Sequence, residues 1–107
     1  MSMILIGGAA LALLAPSAQP PQVASGARIA ETRCAVCHAI GLKSESPKVG
    51  APSFDEIRLE YNEPSLERKL LHIAKHGHRS MKPLAISPHE AADIAAYVES
   101  LRPQGYP

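Results

Sequence analysis

Apolar residues recur along this chain at helical spacing, and no run of four to eight residues shows a convincing two-residue alternation. The strongest helix start is Ser87-Pro88-His89-Glu90, with Ser at the N-cap, Pro at the first helical position and Glu at the third. Ala91, Ile94, Ala95, Val98 and Leu101 continue it along one face, Tyr97 flanks that face, and Pro103 ends it. A second helix is predicted from Pro64-Ser65, with Leu66, Leu70, Ile73 and Ala74 in register and Gly77 as terminator. Ser53 and Glu56 make an S-x-x-E capping box for a short helix carrying Phe54, Ile57 and Tyr61. Nearer the start, Ser25 caps a short predicted helix over residues 27–33 that delivers Cys34 at its end. Lys43 to Pro52, with Ser44, Ser46, Pro47 and Gly50, reads as a loop. The predicted fold class is all-α.

Ahead of these segments, Met3 to Ala15 is a stretch of 13 residues without a charge. That is too short for a membrane span of about 20 residues and suits the apolar section of a secretory signal. The expected organisation is a signal peptide over 1–18, a linker over 19–26, one domain over 27–103 and a tail over 104–107. Cleavage after Ala18, Ala24 or Ser25 fits about equally. No Lys or Arg precedes the apolar run and no Ala-x-Ala site follows it, so an uncleaved leader acting as an anchor is the alternative.

Chemistry concentrates in Cys34-Ala35-Val36-Cys37-His38, a C-x-x-C-H string. Two thiols at this spacing can add to the two vinyl groups of a haem, and the adjacent imidazole can then ligate the iron. A borderline nitrogen ligand suits iron in both common oxidation states. A zinc site would need two more ligands. His72 and His76 have an acceptable H-x3-H spacing, but 34 residues separate Cys37 from His72. The familiar zinc finger has about 12 to 15. A thioredoxin-like C-x-x-C wants a βαβ setting, and no strand pattern precedes Cys34. A Cys34–Cys37 disulfide would close too short a loop to constrain the unfolded chain, and it leaves His38 without a role. Size also favours haem, because a body of about 80 residues rarely buries enough apolar surface by itself. With no Trp, one Phe and three Tyr, large fillers are scarce, and a flat apolar macrocycle would supply the core.

Met1 and Met3 lie in the leader, so Met81 is the sole methionine of the expected mature chain. It sits 43 residues after His38, between Gly77 and Pro83, where it can reach the opposite haem face. The competing reading is a core gap-filler. His76 and His78 are the competing nitrogen ligands, and either would give a lower-potential haem. His72 and His89 read as helix-surface residues.

In this order and at these separations, three features resemble the small single-haem class I cytochromes c. They are the Cys34–His38 string after a short helix, Gly50-Ala51-Pro52 in the loop, and Met81 before a final helix ending Ala95-Ala96-Tyr97-Val98-Glu99-Ser100-Leu101. The resemblance covers roughly residues 26 to 102. It implies three to five short helices around one covalently attached haem c, with Met81 as the axial ligand opposite His38. It implies that the last helix packs on the first near Tyr97, and that the Pro52 carbonyl accepts a hydrogen bond from the non-ligating nitrogen of His38. It also implies export, since in bacteria haem is joined to such thiols outside the cytoplasm.

Two coordinated faces leave no open iron position, which points to a periplasmic one-electron carrier, or a haem subunit of a dehydrogenase or oxidase system, rather than an enzyme. A sensor or minor peroxidase with a displaceable Met81 is the alternative, followed by a zinc or thiol-redox module. The cofactor-binding set is Cys34, Cys37, His38, Pro52 and Met81, with no catalytic residue. Eleven basic and ten acidic residues leave a net charge of +1, and neither nucleic acid nor an acidic membrane is indicated as a partner. The expected partner is a redox protein docking near the exposed haem edge, with this chain a monomer. Lys43, Lys48, Lys75, Arg79 and Lys82 fall near the attachment and Met81 segments, while Asp55, Glu56, Glu60, Glu63 and Glu67 crowd the middle. Ordinary solvated charge is the alternative account of that distribution.

Overall fold

Three serine- or asparagine-led boxes set the helix starts. Ser53 Oγ accepts from the Glu56 N–H at 3.1 Å while Glu56 Oε1 accepts from the Ser53 N–H at 2.9 Å. Ser87 and Glu90 repeat the exchange at 3.1 and 2.9 Å. The third box uses Asn62, whose Oδ1 accepts from the Ser65 N–H at 2.9 Å while Ser65 Oγ accepts from the Asn62 N–H at 3.0 Å. Each box satisfies two amide donors that the first turn of a helix leaves unpaired.

The computed structural model describes residues 19–42 and 44–103. The expected leader over 1–18, Lys43 and the tail over 104–107 lie outside the described residues. Helix α1 spans Pro21–Ile29 and runs into a single π-helical turn, Ala30–Cys34. Helices α2 (Phe54–Glu60), α3 (Glu63–His76) and α4 (Pro88–Ser100) follow. Among the described residues there is no strand, only an isolated antiparallel bridge between His78 and Met81, and the all-α expectation holds.

Two boundaries need correction. Helix α3 starts at Glu63 rather than Pro64-Ser65, because Asn62 supplies the cap and Pro64 occupies the first turn, where its missing N–H costs nothing. The linker expected over 19–26 is helical from Pro21, so a domain boundary at residue 27 would cut α1. Ser25 is not an N-cap there; its hydroxyl donates to Asp93 Oδ2 at 2.8 Å. Pro21 suits a first helical position, and packing against α4 overrides the weak propensity of Ser25-Gly26, as tertiary contact commonly does for short helices.

Helix α4 is the centre of the molecule and packs on α1, α2 and α3. Ala30, Phe54, Leu66, Ile94, Ala95 and Val98 form the buried cluster, with Ile29, Ile40, Ile57, Leu70 and Tyr97 against it. The α1–α4 crossing is close because Gly26 has no side chain: a Cβ there would lie 2.0 Å from the Asp93 carbonyl oxygen. At the far end of α4, Arg102 donates to the Arg58 carbonyl at 2.7 Å and to Glu99 at 2.9 Å, fastening α2.

Candidate cofactor site

The π turn determines how the attachment string leaves α1. The Ala35 N–H bonds to the Ala30 carbonyl at 2.9 Å, a five-residue step that accommodates one extra residue just before Cys34. The N–H groups of Cys37 and His38 then both bond to the Cys34 carbonyl, at 3.1 and 2.9 Å. Cys34, Cys37 and His38 are thus curled at i, i+3 and i+4, the spacing that gathers side chains on one face. Val36, between the cysteines, is 78% exposed. Cys34 and Cys37 are half-buried and are not joined to each other by a disulfide. Before any haem is attached, burial pushes the Cys34 thiol up to about 11 against the opposing charge of Arg33. The Arg33 guanidinium in turn donates to the Ala85 carbonyl, tying the end of the π turn to the segment before α4.

The loop after the string returns over it. Ala39 N–H donates to Ser46 Oγ at 3.0 Å, Lys48 N–H to the Cys37 carbonyl at 3.1 Å, and Phe54 N–H to the Ala39 carbonyl at 2.8 Å. Ala51 N–H closes a turn onto the Lys48 carbonyl at 3.1 Å, with Gly50 at φ +89°, and this turn absorbs the residue between Gly50 and Pro52. The result is that the Pro52 carbonyl oxygen lies 2.7 Å from His38 Nδ1. A carbonyl can only accept, so Nδ1 carries the proton and Nε2 keeps its lone pair for a metal. Phe54 flanks the His38 ring at a centroid distance of 6.0 Å, and Tyr97 flanks Phe54 at 6.2 Å. The Tyr97 hydroxyl donates to the Ile40 carbonyl at 2.7 Å, holding the segment after the string against α4. Burial, with Glu31 nearby, raises the Tyr97 phenol, so it remains a donor.

Met81 comes from a separate turn after α3 and is half-buried. His78 N–H bonds to the Met81 carbonyl at 3.0 Å and Met81 N–H to the His78 carbonyl at 2.7 Å, with Arg79 left-handed at φ 53°. Gly77 opens this turn at φ +73°, and a Cβ there would lie 2.7 Å from the Met81 carbonyl oxygen. Of the competing nitrogens, His76 is exposed at the end of α3 with its ring beside that of His72. His78 has Lys69 Nζ 3.5 Å from its Nδ1. Partial burial and the charges of Lys69, Arg79 and His72 hold its imidazole below the ordinary histidine value.

The structure thus brings Cys34, Cys37, His38 and Pro52 together and leaves Met81 on its own turn. Gly26, Arg33 and Gly77, which shape the frame around them, were not singled out for that from sequence; only Gly77 carried a usable signal, as a helix terminator. The donor set fits covalent haem: two thiols on one turn beside an imidazole whose other nitrogen is already engaged. A zinc site joining the cysteines to His72 and His76 lacks such support, since no three metal-ligating His, Cys, Asp or Glu side chains cluster among the described residues.

Comparison with known proteins agrees. The family described as "Cytochrome C oxidase, cbb3-type, subunit III" matches residues 21–98, beginning where α1 begins. Over 94 residues the chain is 33% identical to cytochrome c-552 of Bradyrhizobium diazoefficiens, covering 88% of each. No solved structure gives a significant match. The attachment turn and these two likenesses lead to one conclusion: the chain belongs to the small monohaem class I cytochromes c, within the family that matches residues 21–98, and its cofactor is covalently bound haem c with iron.

Proposed function

We propose that this c-type cytochrome is a periplasmic one-electron carrier whose iron is held between His38 Nε2 and Met81 Sδ. The observation that supports this reading is the 2.7 Å contact between His38 Nδ1 and the Pro52 carbonyl, which engages one ring nitrogen and leaves Nε2 for the iron. Bound haem supplies the change between ferrous and ferric iron. The chain's own part is to hold the surroundings constant through that change, by the loop bonds around His38 and the paired backbone of His78 and Met81. A thioether opposite imidazole favours the ferrous state and leaves no open position for substrate chemistry.

Export is supported by the apolar stretch Met3 to Ala15. No helix among the described residues is long and apolar enough to cross a membrane. Partner docking is supported by the surface: Lys48, Lys75, Arg79 and Lys82 are exposed, as are the apolar Val36, Leu42 and, at 97%, Val49. Exposed basic and apolar side chains in the attachment and Met81 segments suit an acidic redox protein, and the family match makes an oxidase system the favoured setting.

Replacing Met81 with Ala tests the ligand pair. The expected outcome is a lower potential, a changed visible spectrum and carbon monoxide binding to the reduced protein. An unchanged spectrum and potential would transfer the role to His76, His78 or another donor. Ready carbon monoxide binding by the unaltered protein would instead favour a sensor or minor peroxidase with a displaceable Met81.

A further inference from the structure

The attachment chemistry leaves one motif unused, His72-Ile73-Ala74-Lys75-His76 on α3. Its two histidines are exposed and one helical turn apart, on the same face of a 14-residue helix. Their ring centroids are 4.7 Å apart with the planes tilted by 42°. Two imidazoles directed at one metal, with metal–nitrogen bonds of about 2.0–2.1 Å, have centroids about 4.5–5.2 Å apart for donor angles between square and tetrahedral. The observed separation falls inside that window, so the helix already holds the rings near a chelating distance.

We propose that His72 and His76 chelate one divalent transition metal on the outer face of α3, with water completing the coordination. Two imidazole donors and no carboxylate favour Cu(II), with Zn(II) binding more weakly. The proposal holds whether Met81 or His78 ligates the haem opposite His38, and it requires that His76 does not. Arg68, one turn before His72, and Lys75, beside His76, repel the incoming cation. Higher ionic strength should therefore tighten metal binding by screening that repulsion.

The test is titration of Zn2+ by calorimetry and of Cu2+ by electron paramagnetic resonance into the oxidised, haem-loaded full chain. One equivalent of each should bind, and copper should show coupling to two nitrogens. His72→Gln and His76→Gln should each weaken binding about 100-fold, because each removes the intramolecular second ligand. The double variant should be little worse than either single one, and His89→Gln should bind as the unaltered protein does. Single variants that lose less than about twofold would mark two independent solvated imidazoles and overturn the proposal. Loss of the bound equivalent only on His78→Gln or His89→Gln would overturn it as well.

Discussion

Gly26→Ala separates two effects that pull stability in opposite directions. Within a helix, Ala is favoured over Gly by about 1 kcal/mol, so propensity alone predicts a more stable protein. The structure predicts the reverse. An added Cβ would stand 2.0 Å from the Asp93 carbonyl oxygen, 2.6 Å from its carbon and 2.8 Å from Tyr97 Cβ. Close carbon–oxygen contacts run about 3.3–3.6 Å, so α1 and α4 would have to part by about 1.3 Å. Both Asp93 atoms are backbone and cannot swing aside. That shift would also stretch the Ser25–Asp93 hydrogen bond, now 2.8 Å, beyond bonding range at a carboxylate that is 2% exposed. Overpacking and the lost charged hydrogen bond together outweigh the propensity gain, for a net loss of about 2–4 kcal/mol. Guanidinium unfolding of the haem-loaded protein, followed by far-ultraviolet circular dichroism and by haem absorbance, measures it. A variant as stable as the unaltered protein, or more so, would refute the close crossing.

Gly77→Ala should cost about 1–3 kcal/mol, since the residue has a positive φ that side chains rarely adopt; because its Cβ would press on the Met81 carbonyl, the visible spectrum or potential should move with it. Tyr97→Phe removes the bond to the Ile40 carbonyl and should lower unfolding stability by about 1 kcal/mol while leaving the haem attached. Electron transfer to an acidic partner should slow as salt rises, because screening acts over about 8 Å at physiological ionic strength. Lys48→Glu and Lys82→Glu should slow it further, and Glu60→Gln with Glu63→Gln should matter little. Stopped-flow rates that are flat with salt and indifferent to the Lys changes would replace docking through basic side chains with an apolar contact through Val36, Leu42 and Val49.

Where a helix announces itself by local chemistry, the sequence was sufficient. Ser53 with Glu56 and Ser87 with Glu90 are both boxes in which a short hydroxyl and a long carboxylate reach back across one turn, and both form. Asn62 with Ser65 does the same work with a less familiar pair, so α3 starts earlier than Pro64-Ser65 suggests. The start of helix α1 is not legible locally because its cause is distant. Nothing within Pro21-Gln22-Val23-Ala24-Ser25-Gly26 shows that Gly26 will meet Asp93 and Tyr97, 67 and 71 residues later. At the site, C-x-x-C-H was legible because spacing alone carries its chemistry. The approach of the Pro52 carbonyl to His38 depends on how a 13-residue connection folds, including the turn that accommodates Ala51, and only the resemblance anticipated it.

The joining of α1 to α4 has a consequence for the order in which the chain takes shape. Residue 26 finds its partner only when residues 93 to 97 have been made, so a nascent chain emerging N-terminus first carries α1 without its main packing surface. Closing a loop of that length costs roughly 4 kcal/mol of chain entropy, repaid only when the last helix docks. Folding of this domain is therefore late and close to all-or-none, and a product ending before Pro88 would be an unfolded chain rather than a smaller cytochrome. Until that moment Cys34 rides on pliable polypeptide, open to modification, and docking of α4 is the event that packs the buried cluster against it.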